Sequence, residues 1–463
     1  MNRKDKKLKQ QKQIILLTVS GEDRPGLTST LTGILASYDA SILDIGQADI
    51  HKSLNLAIVF EMGEDAESAP LLKDILMKSY ELGLNIKFTP LSREEYELWA
   101  NNRSKKRHII TVLGRRLTAL QIHEVTRVIA SNNLNIRTIY RVTHRPLPDE
   151  TDRKICLELK VEGEIPDKKA MTMQFLEVSS RVGVDIAFQE DNMYYRNRRL
   201  VCFDMDSTLI QVEVIDELAK RAGSGDMVRA ITEKAMRGEI DFKESFKERI
   251  KTLAGLPENV LAEIAETLPL TEGAERLIST LKAYGYKTAI VSGGFAYFGR
   301  YLQKRLGIDY VFSNELEIVD GRLTGGYVGE IVDGAKKAEC LKMLAEKEGI
   351  STEQVIAIGD GANDLPMLRL AGLGVAFQAK PMVRANASHA ISAMGLDGVL
   401  YLLGYRDRHI LPMPGEDEQP PAQQRKLRRL KRKVTRRGEN TLSKKKQLSA
   451  FDTTHIINTK DIV

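Results

Sequence analysis

A chain of 463 residues, 42% hydrophobic and 29% charged, holds material for about three globular domains, and that balance excludes intrinsic disorder over most of its length. No apolar run approaches the roughly 20 residues needed to cross a bilayer, and three scattered cysteines (Cys156, Cys202, Cys340) provide neither a disulfide framework nor a thiolate metal cluster. The net charge of +6 sits in the ends: residues 1–12 hold six basic residues against one acid, residues 425–446 hold twelve against one, and the body between them is mildly acidic, so it is not a nucleic-acid surface.

After the basic start at 1–12, the apolar stretch Ile14 to Val19 is too short for a signal peptide, and a cytoplasmic chain is expected. Residues 13–97 and 107–190 read as two small βαβ-type modules. Ala36-Ser37-Tyr38-Asp39-Ala40-Ser41-Ile42 aligns with Ala130-Ser131-Asn132-Asn133-Leu134-Asn135-Ile136 at an offset of 94. Before each segment lie a β-rich run and apolar residues at helix spacing: Leu27, Leu31, Ile34 and Leu35 in the first, Ile122, Val125, Val128 and Ile129 in the second. In the first module Asp23-Arg24-Pro25-Gly26-Leu27 stands between strand and helix. Asp23 is expected to cap the helix and Gly26 to allow close backbone approach; a plain helix start is the other reading.

This pattern resembles the ACT domain. The resemblance implies an amino-acid effector near Asp23 and Gly26, and pairing through sheet edges, hence a homodimer. The second module is similar in layout only, with Gly114-Arg115-Arg116-Leu117-Thr118-Ala119 where the motif falls, so a structural role is expected there.

From about residue 197 to 405 short apolar strands alternate with helical stretches, which predicts a doubly wound parallel sheet. A helical insert at about 214–281 is placed to be a lid. Four loops follow apolar strands and therefore gather at the carboxyl edge of that sheet. Asp204-Met205-Asp206-Ser207-Thr208 offers two carboxylates for separate roles, although Asp-x-Asp also occurs in turns. Ser292-Gly293-Gly294 offers a hydroxyl and bare amides for phosphate oxygens, although such a tripeptide is more often a turn. Lys337 opens a helix, where a lysine is ordinarily solvated, and Lys336 is the alternative to it. Gly359-Asp360-Gly361-Ala362-Asn363-Asp364 offers oxygen ligands for a hard cation.

In this order the four loops resemble the haloacid dehalogenase superfamily of phosphohydrolases. Glu213, Met236, Phe242 and Arg249 narrow the resemblance to its phosphoserine phosphatase family, in the long form with two ACT domains in front. The resemblance implies an α/β hydrolase domain with a helical cap that hydrolyses O-phospho-L-serine with Mg²⁺, as the last step of serine synthesis by this route. Asp204 is implied as nucleophile and Asp206 as general acid and base. The metal is implied on Asp204, Asp360 and the main-chain carbonyl of Asp206, with Asp364 supporting metal and lysine. Ser292, Gly293, Lys337 and Asn363 are implied to hold the phosphoryl group. Glu213, Met236, Phe242 and Arg249 are implied to select the substrate; ordinary helix-surface charges at Glu213 and Arg249 are the other reading. The rivals are a related small-molecule phosphatase or phosphotransferase, and an amino-acid-sensing protein with a vestigial site. The segment 414–463 is expected to be a basic, disordered tail, with contact to RNA or anionic lipid as the less favoured reading.

Overall fold

In the first module the alternation in Ile15, Leu17 and Val19 marks a strand with one face against helices, and the chain folds accordingly. The computed structural model describes residues 12–63, 68–101, 106–145 and 154–412; the expected tail at 414–463 and all but Lys12 of the basic start lie outside the described residues. The first module runs β1 (Ile14–Glu22), α1 (Leu27–Ser37), β2 (Ser41–Ile50), β3 (Ser53–Glu61), α2 (Ser68–Glu81) and β4 (Asn85–Leu91). Its sheet is antiparallel in the order β2-β3-β1-β4, and Leu17, Leu31, Ile58, Phe60 and Ile75 form the core under the two helices. On the other face Leu16, Thr18 and Ser20 are half-buried. A further helix, α3 (Arg93–Asn101), follows.

Asp23 does not cap α1. The N-cap is Gly26, at φ +92°, and no side chain closes the helix start. That left-handed turn is one a glycine adopts without penalty, and it takes the place expected of the aspartate.

The second module repeats the order: β5 (Arg107–Gly114), α4 (Ala119–Ser131), β6 (Asn135–Arg141), β7 (Ile155–Glu162), α5 (Lys168–Val182) and β8 (Asp185–Glu190), arranged β6-β7-β5-β8. Here α4 opens on a side-chain cap, Thr118 with Gln121. The seven-residue repeat is the turn from helix to edge strand in both modules, and its equivalent residues Asp39 and Asn133 are both left-handed, at φ 52° and 54°. One face of the second sheet lies under its own helices. From the other, Leu113, Cys156 and Ala187 join the core of the following domain beside Leu396, Leu400 and Leu402.

That domain runs β9 (Leu200–Phe203), α6 (Val214–Ala222), α7 (Gly225–Met236), α8 (Phe242–Lys251), α9 (Asn259–Thr267), α10 (Ala274–Ala283), β10 (Lys287–Phe295), α11 (Ala296–Leu306), β11 (Tyr310–Val319), β12 (Arg322–Val328), α12 (Gly334–Lys347), β13 (Val355–Gly359), α13 (Leu365–Leu370), β14 (Leu373–Phe377), α14 (Pro381–Asn386), β15 (His389–Ile391) and α15 (Val399–Leu402). The seven strands lie in the order β12-β11-β10-β9-β13-β14-β15, and all pairs but β11 with β12 are parallel. The central strands β9, β13 and β14 are buried throughout, as their unbroken apolar runs require.

The antiparallel edge departs from the all-parallel expectation. Asp320 and Gly321 (φ 53° and 71°) make the two-residue turn that folds β12 back on β11. The insert forms α6 to α9, while α10, at the end of the expected lid, packs on β10 and α11 of the sheet domain. Two further ties hold the second module to the sheet: Asp185 accepts from the amides of Ser392 (2.7 Å) and Ala393 (2.9 Å), and His389 Nε2 lies 2.9 Å from the Phe188 carbonyl. Lys154 reaches both carboxylate oxygens of Asp397, with Arg276 3.4 Å away on the same group.

Candidate active site

The carboxyl edge of β9 delivers Asp204 in an extended conformation, with its amide tied to Ile358 O on β13 (2.8 Å). Its Oδ1 accepts from the Met205 amide (2.8 Å) and pairs with Lys337 Nζ (2.9 Å). Lys337 comes from the first turn of α12 and is fully buried. A buried ammonium needs compensating charge, and a second carboxylate, Asp364, bonds it at 2.6 Å. The other Asp364 oxygen accepts from the Gly361 amide (2.9 Å). Lys336 points the other way, to Glu330 and Glu339 on the surface (2.8 and 2.9 Å).

Asp360 follows β13, and its Oδ1 accepts from Thr208 Oγ1 (3.3 Å). Carboxylate oxygens of Asp204, Asp360 and Asp364 lie within 4.8 Å of one another. Burial, then the neighbouring Asp204 and Asp364, push the Asp360 carboxyl up to about 8, and burial and Asp204 push Asp364 up to about 6. A crowd of hard oxygen ligands that cannot all ionise suits a hard divalent cation. The Asp206 carboxylate is not part of that cluster; only its main-chain carbonyl was expected to be.

Asp206 instead faces the cap. Its Oδ1 accepts from the Val214 amide at the start of α6 (3.1 Å). Burial, with Glu213 and Asp204 nearby, holds its carboxyl well above the usual carboxylate range. The chain turns between the two through Ser207 at φ 54°, a strained value for a serine, and Ser207 Oγ donates to Glu213 Oε1 (2.7 Å).

The β10 loop is lifted from the sheet by a bulge. Val291 pairs with Phe312 and Phe295 with Asn314, so Ser292, Gly293 and Gly294 stand against the single residue Ser313. Ser292 Oγ accepts from the Gly294 amide (3.0 Å), which leaves its proton for a ligand. A side chain on Gly294 would meet Asp206 Oδ2 at 2.3 Å, and one on Gly293 would meet the Phe242 ring at 2.8 Å. The bare backbone therefore lets both the acid and the cap close onto the loop. Buried Asn314 fixes the arrangement, donating to Gly293 O (2.7 Å) and accepting from the Val332 amide (2.8 Å).

The cap supplies the opposite wall. Arg249 on α8 donates through Nε to its own helix at Ser245 O (3.3 Å) and faces Glu213, Asp216 and Asp206 beyond ion-pair range. Arg249 is half-buried, and burial lowers its pKa; Glu213 is exposed to solvent at the cavity wall, where desolvation raises its pKa and Ser207 holds its carboxylate. Met236 closes α7 and remains exposed, and Asn363 borders the same space. Cap and sheet domain are also joined by Lys243 and Asp333 (3.0 Å), the latter the N-cap of the helix that carries Lys337. Together these groups enclose a cavity of about 1250 Å³.

Sequence reasoning missed Ser207, Thr208, Asn314 and the Lys243–Asp333 pair. The first two lie directly after Asp206, where a hydroxyl pair was a readable signal; Asn314 carries no local signal at all. The site residues Asp23 and Gly26 belong to the first module, which is a separate unit of the chain. Among the described residues no helix is long and apolar enough to cross a membrane.

Residues 201–369 match the haloacid dehalogenase-like hydrolase family, and residues 13–89 and 106–189 each match an ACT domain. A phosphoserine phosphatase of Mycobacterium tuberculosis, SerB2, is 41% identical over 391 residues, which is 84% of this chain and 93% of that protein. A phosphoserine phosphatase of Archaeoglobus fulgidus is 40% identical over 346 residues, covering 75% of this chain and 96% of its own. The unliganded crystal structure of a probable phosphoserine phosphatase from Vibrio cholerae superposes with a TM-score of 0.51 at 37% identity, covering 64% of this chain and 86% of that one. The chain therefore belongs to the phosphoserine phosphatases of the haloacid dehalogenase-like hydrolases, phosphoric monoester hydrolases here preceded by two ACT domains.

Proposed function

We propose that this chain hydrolyses O-phospho-L-serine to L-serine and phosphate through an aspartyl-phosphate on Asp204, in a Mg²⁺-dependent reaction that ends a cytoplasmic route to serine. One observation carries the reading: Asp204 Oδ1 is held by Lys337 and the Met205 amide, while Oδ2 has no partner among the described residues and is free to attack. Asp204, Asp360 and the main-chain carbonyl of Asp206 would hold Mg²⁺, which supplies positive charge beside the phosphoryl oxygens.

Asp204 Oδ2 forms its bond to phosphorus as the bond to the serine oxygen breaks. Asp206, whose hold on a proton is strengthened by burial and by neighbouring Glu213 and Asp204, gives that oxygen its proton. Asp206 then takes a proton from water, whose oxygen bonds phosphorus and releases Asp204. Ser292 Oγ, the Gly293 amide and Asn363 bind phosphoryl oxygens. Arg249 takes the substrate carboxylate and Glu213 its ammonium, with Met236 and Phe242 over the carbon chain. Phosphate release from phosphoserine beside a panel of phosphomonoesters, with and without Mg²⁺, tests this: strong metal-dependent preference for phosphoserine is expected, and equal turnover of all esters would remove the cap assignments.

An amino-acid effector at the first module, near Asp23 and Gly26, and a homodimer formed through the edge strand β2, with Ile42, Ile45 and Ile50 exposed, belong to the same reading. Cutting the chain at residue 105 rather than 190 tests regulation cleanly, because the second module covers part of the catalytic domain's core. Amino-acid inhibition or activation unchanged by that cut would refute the effector site.

A further inference from the structure

Beyond the four loops already described, a fifth reaches the same carboxyl edge. After β14 the chain turns through Gln378 at φ 46°, its amide bonded to Ile391 O (2.7 Å), and presents Lys380 to the cavity. The backbone there is anchored: Ala379, Val383 and Ala387 are buried, and Leu176 of the second module packs against them. The side chain is not. Lys380 is exposed, and its Nζ lies 3.7 Å from Met236 Sδ on the cap, so it spans the mouth between sheet domain and cap.

Four cations line the cavity. Arg237 is engaged by Glu239 and Glu233, and Lys243 by Asp333. Among the described residues Arg249 and Lys380 have no carboxylate within ion-pair distance. Arg249 lies deep on the cap wall, whereas Lys380 stands where solvent meets the cavity. Phosphoserine carries a net charge near −2 at neutral pH, and the cavity it enters is lined by Asp204, Asp206, Glu213, Asp216, Asp241 and Asp360. An anion approaching such a wall is repelled unless a free cation lies on its path.

We infer that Lys380 is a further substrate-binding residue, the cation at the cavity mouth that captures the anionic ester before the floor and Arg249 engage it. This rests on the reading of the cavity as a phosphoserine site. The test is steady-state kinetics of full-length wild type, Lys380→Met and Lys380→Arg on phosphoserine and on p-nitrophenyl phosphate, at low and at near-physiological ionic strength. Lys380→Met should lower kcat/KM about tenfold at low salt while kcat stays within about twofold, and Lys380→Arg should restore most of the loss. Added salt should narrow the gap between wild type and Lys380→Met, because the lost term is a screened attraction. An unchanged kcat/KM at low salt overturns the inference. So does a loss that falls on kcat, persists at high salt and is not restored by arginine, which would mark a purely structural contact with Met236. Wild type inactive on phosphoserine refutes the substrate reading instead, and Lys380 is then judged by the same criteria on p-nitrophenyl phosphate.

Discussion

Two groups of acids lie in the unit formed by the second module and the catalytic domain, and they are partnered in different ways. At the module boundary each acid meets its donors: Asp397 has Lys154 and Arg276, Asp185 has two backbone amides, and Asp407 has Tyr401 OH (2.7 Å) and the His144 ring and amide. At the cavity floor Asp204, Asp206, Glu213, Asp360 and Asp364 share two nearby cations, Lys337 and Arg249. Four of those five have raised pKa values, with burial the largest cause in each. A boundary that only has to hold surrounds its acids with donors, so that at Asp185 burial alone pushes the carboxyl up, to about 6, and each neighbour pulls it back, whereas at the floor neighbouring carboxylates add to the push. On the proposed reading the floor receives a cation and a phosphate dianion, and it is left short of positive charge for them.

Substitutions should therefore damage function at one place and stability at the other. The largest effect is expected for Asp204→Asn, which should lower turnover by on the order of 10⁴-fold or more and abolish trapping of an acylphosphate. Its thermal midpoint should stay the same or rise, since one of the crowded charges is gone; a folded variant that retains activity refutes the nucleophile. Asp397→Asn is the mirror image. Leaving half-buried Lys154 and Arg276 beside a neutral amide should cost about 2 kcal/mol, read as a drop of a few degrees in the unfolding midpoint, while kcat at 25 °C holds within about twofold. If activity falls in step with stability, the boundary is not merely structural.

Arg249→Ala should lower kcat/KM for phosphoserine by about 10²-fold, yet have little effect on phosphoethanolamine, which lacks the carboxylate. Equal losses on both esters would show that Arg249 serves the phosphate. The smallest effect is one of pH. An Asp360 carboxyl held at about 8 keeps, in the folded metal-free protein, a proton that the unfolded chain has released above pH 4. Stability without metal should then fall as pH rises from about 4 to about 8. Mg²⁺ requires the ionised form, so the stabilisation that it brings should be larger at pH 8 than at pH 5.5 by on the order of 1 kcal/mol, read as a larger rise in the midpoint. Equal rises at both values would show that the floor does not hold this proton.

The floor was legible in the sequence because each of its groups stands within three residues of the end of an apolar strand, or at a helix start, and strand ends converge by topology alone. The hairpin turn Asp320-Gly321 carries a readable turn signal, but the parallel-sheet reading passed over it, since it is short and lies at an edge. Asn314 and the Lys154–Asp397 bond were not, since nothing local distinguishes a buried asparagine that braces a loop, or a pair separated by 243 residues. Asp23 misled because aspartate is a common cap, whereas the left-handed φ at Gly26 decided the helix start there. The choice between Lys336 and Lys337 turned on helix phase. One residue of rotation separates a surface charge from a fully buried one, and only the packing of α12 shows which is which.

The apolar face that the second module lends to the catalytic domain has a consequence for synthesis of the chain. Leu113, Cys156 and Ala187 leave the ribosome well before Leu396, Leu400 and Leu402, and the bond from Gln189 to Leu402 O joins residues 213 positions apart. At about 5–20 residues per second, that face has no partner for roughly 10–40 s of translation. For that interval the newborn module presents an uncovered apolar sheet face, and ribosome-associated chaperones are its natural cover until α15 emerges.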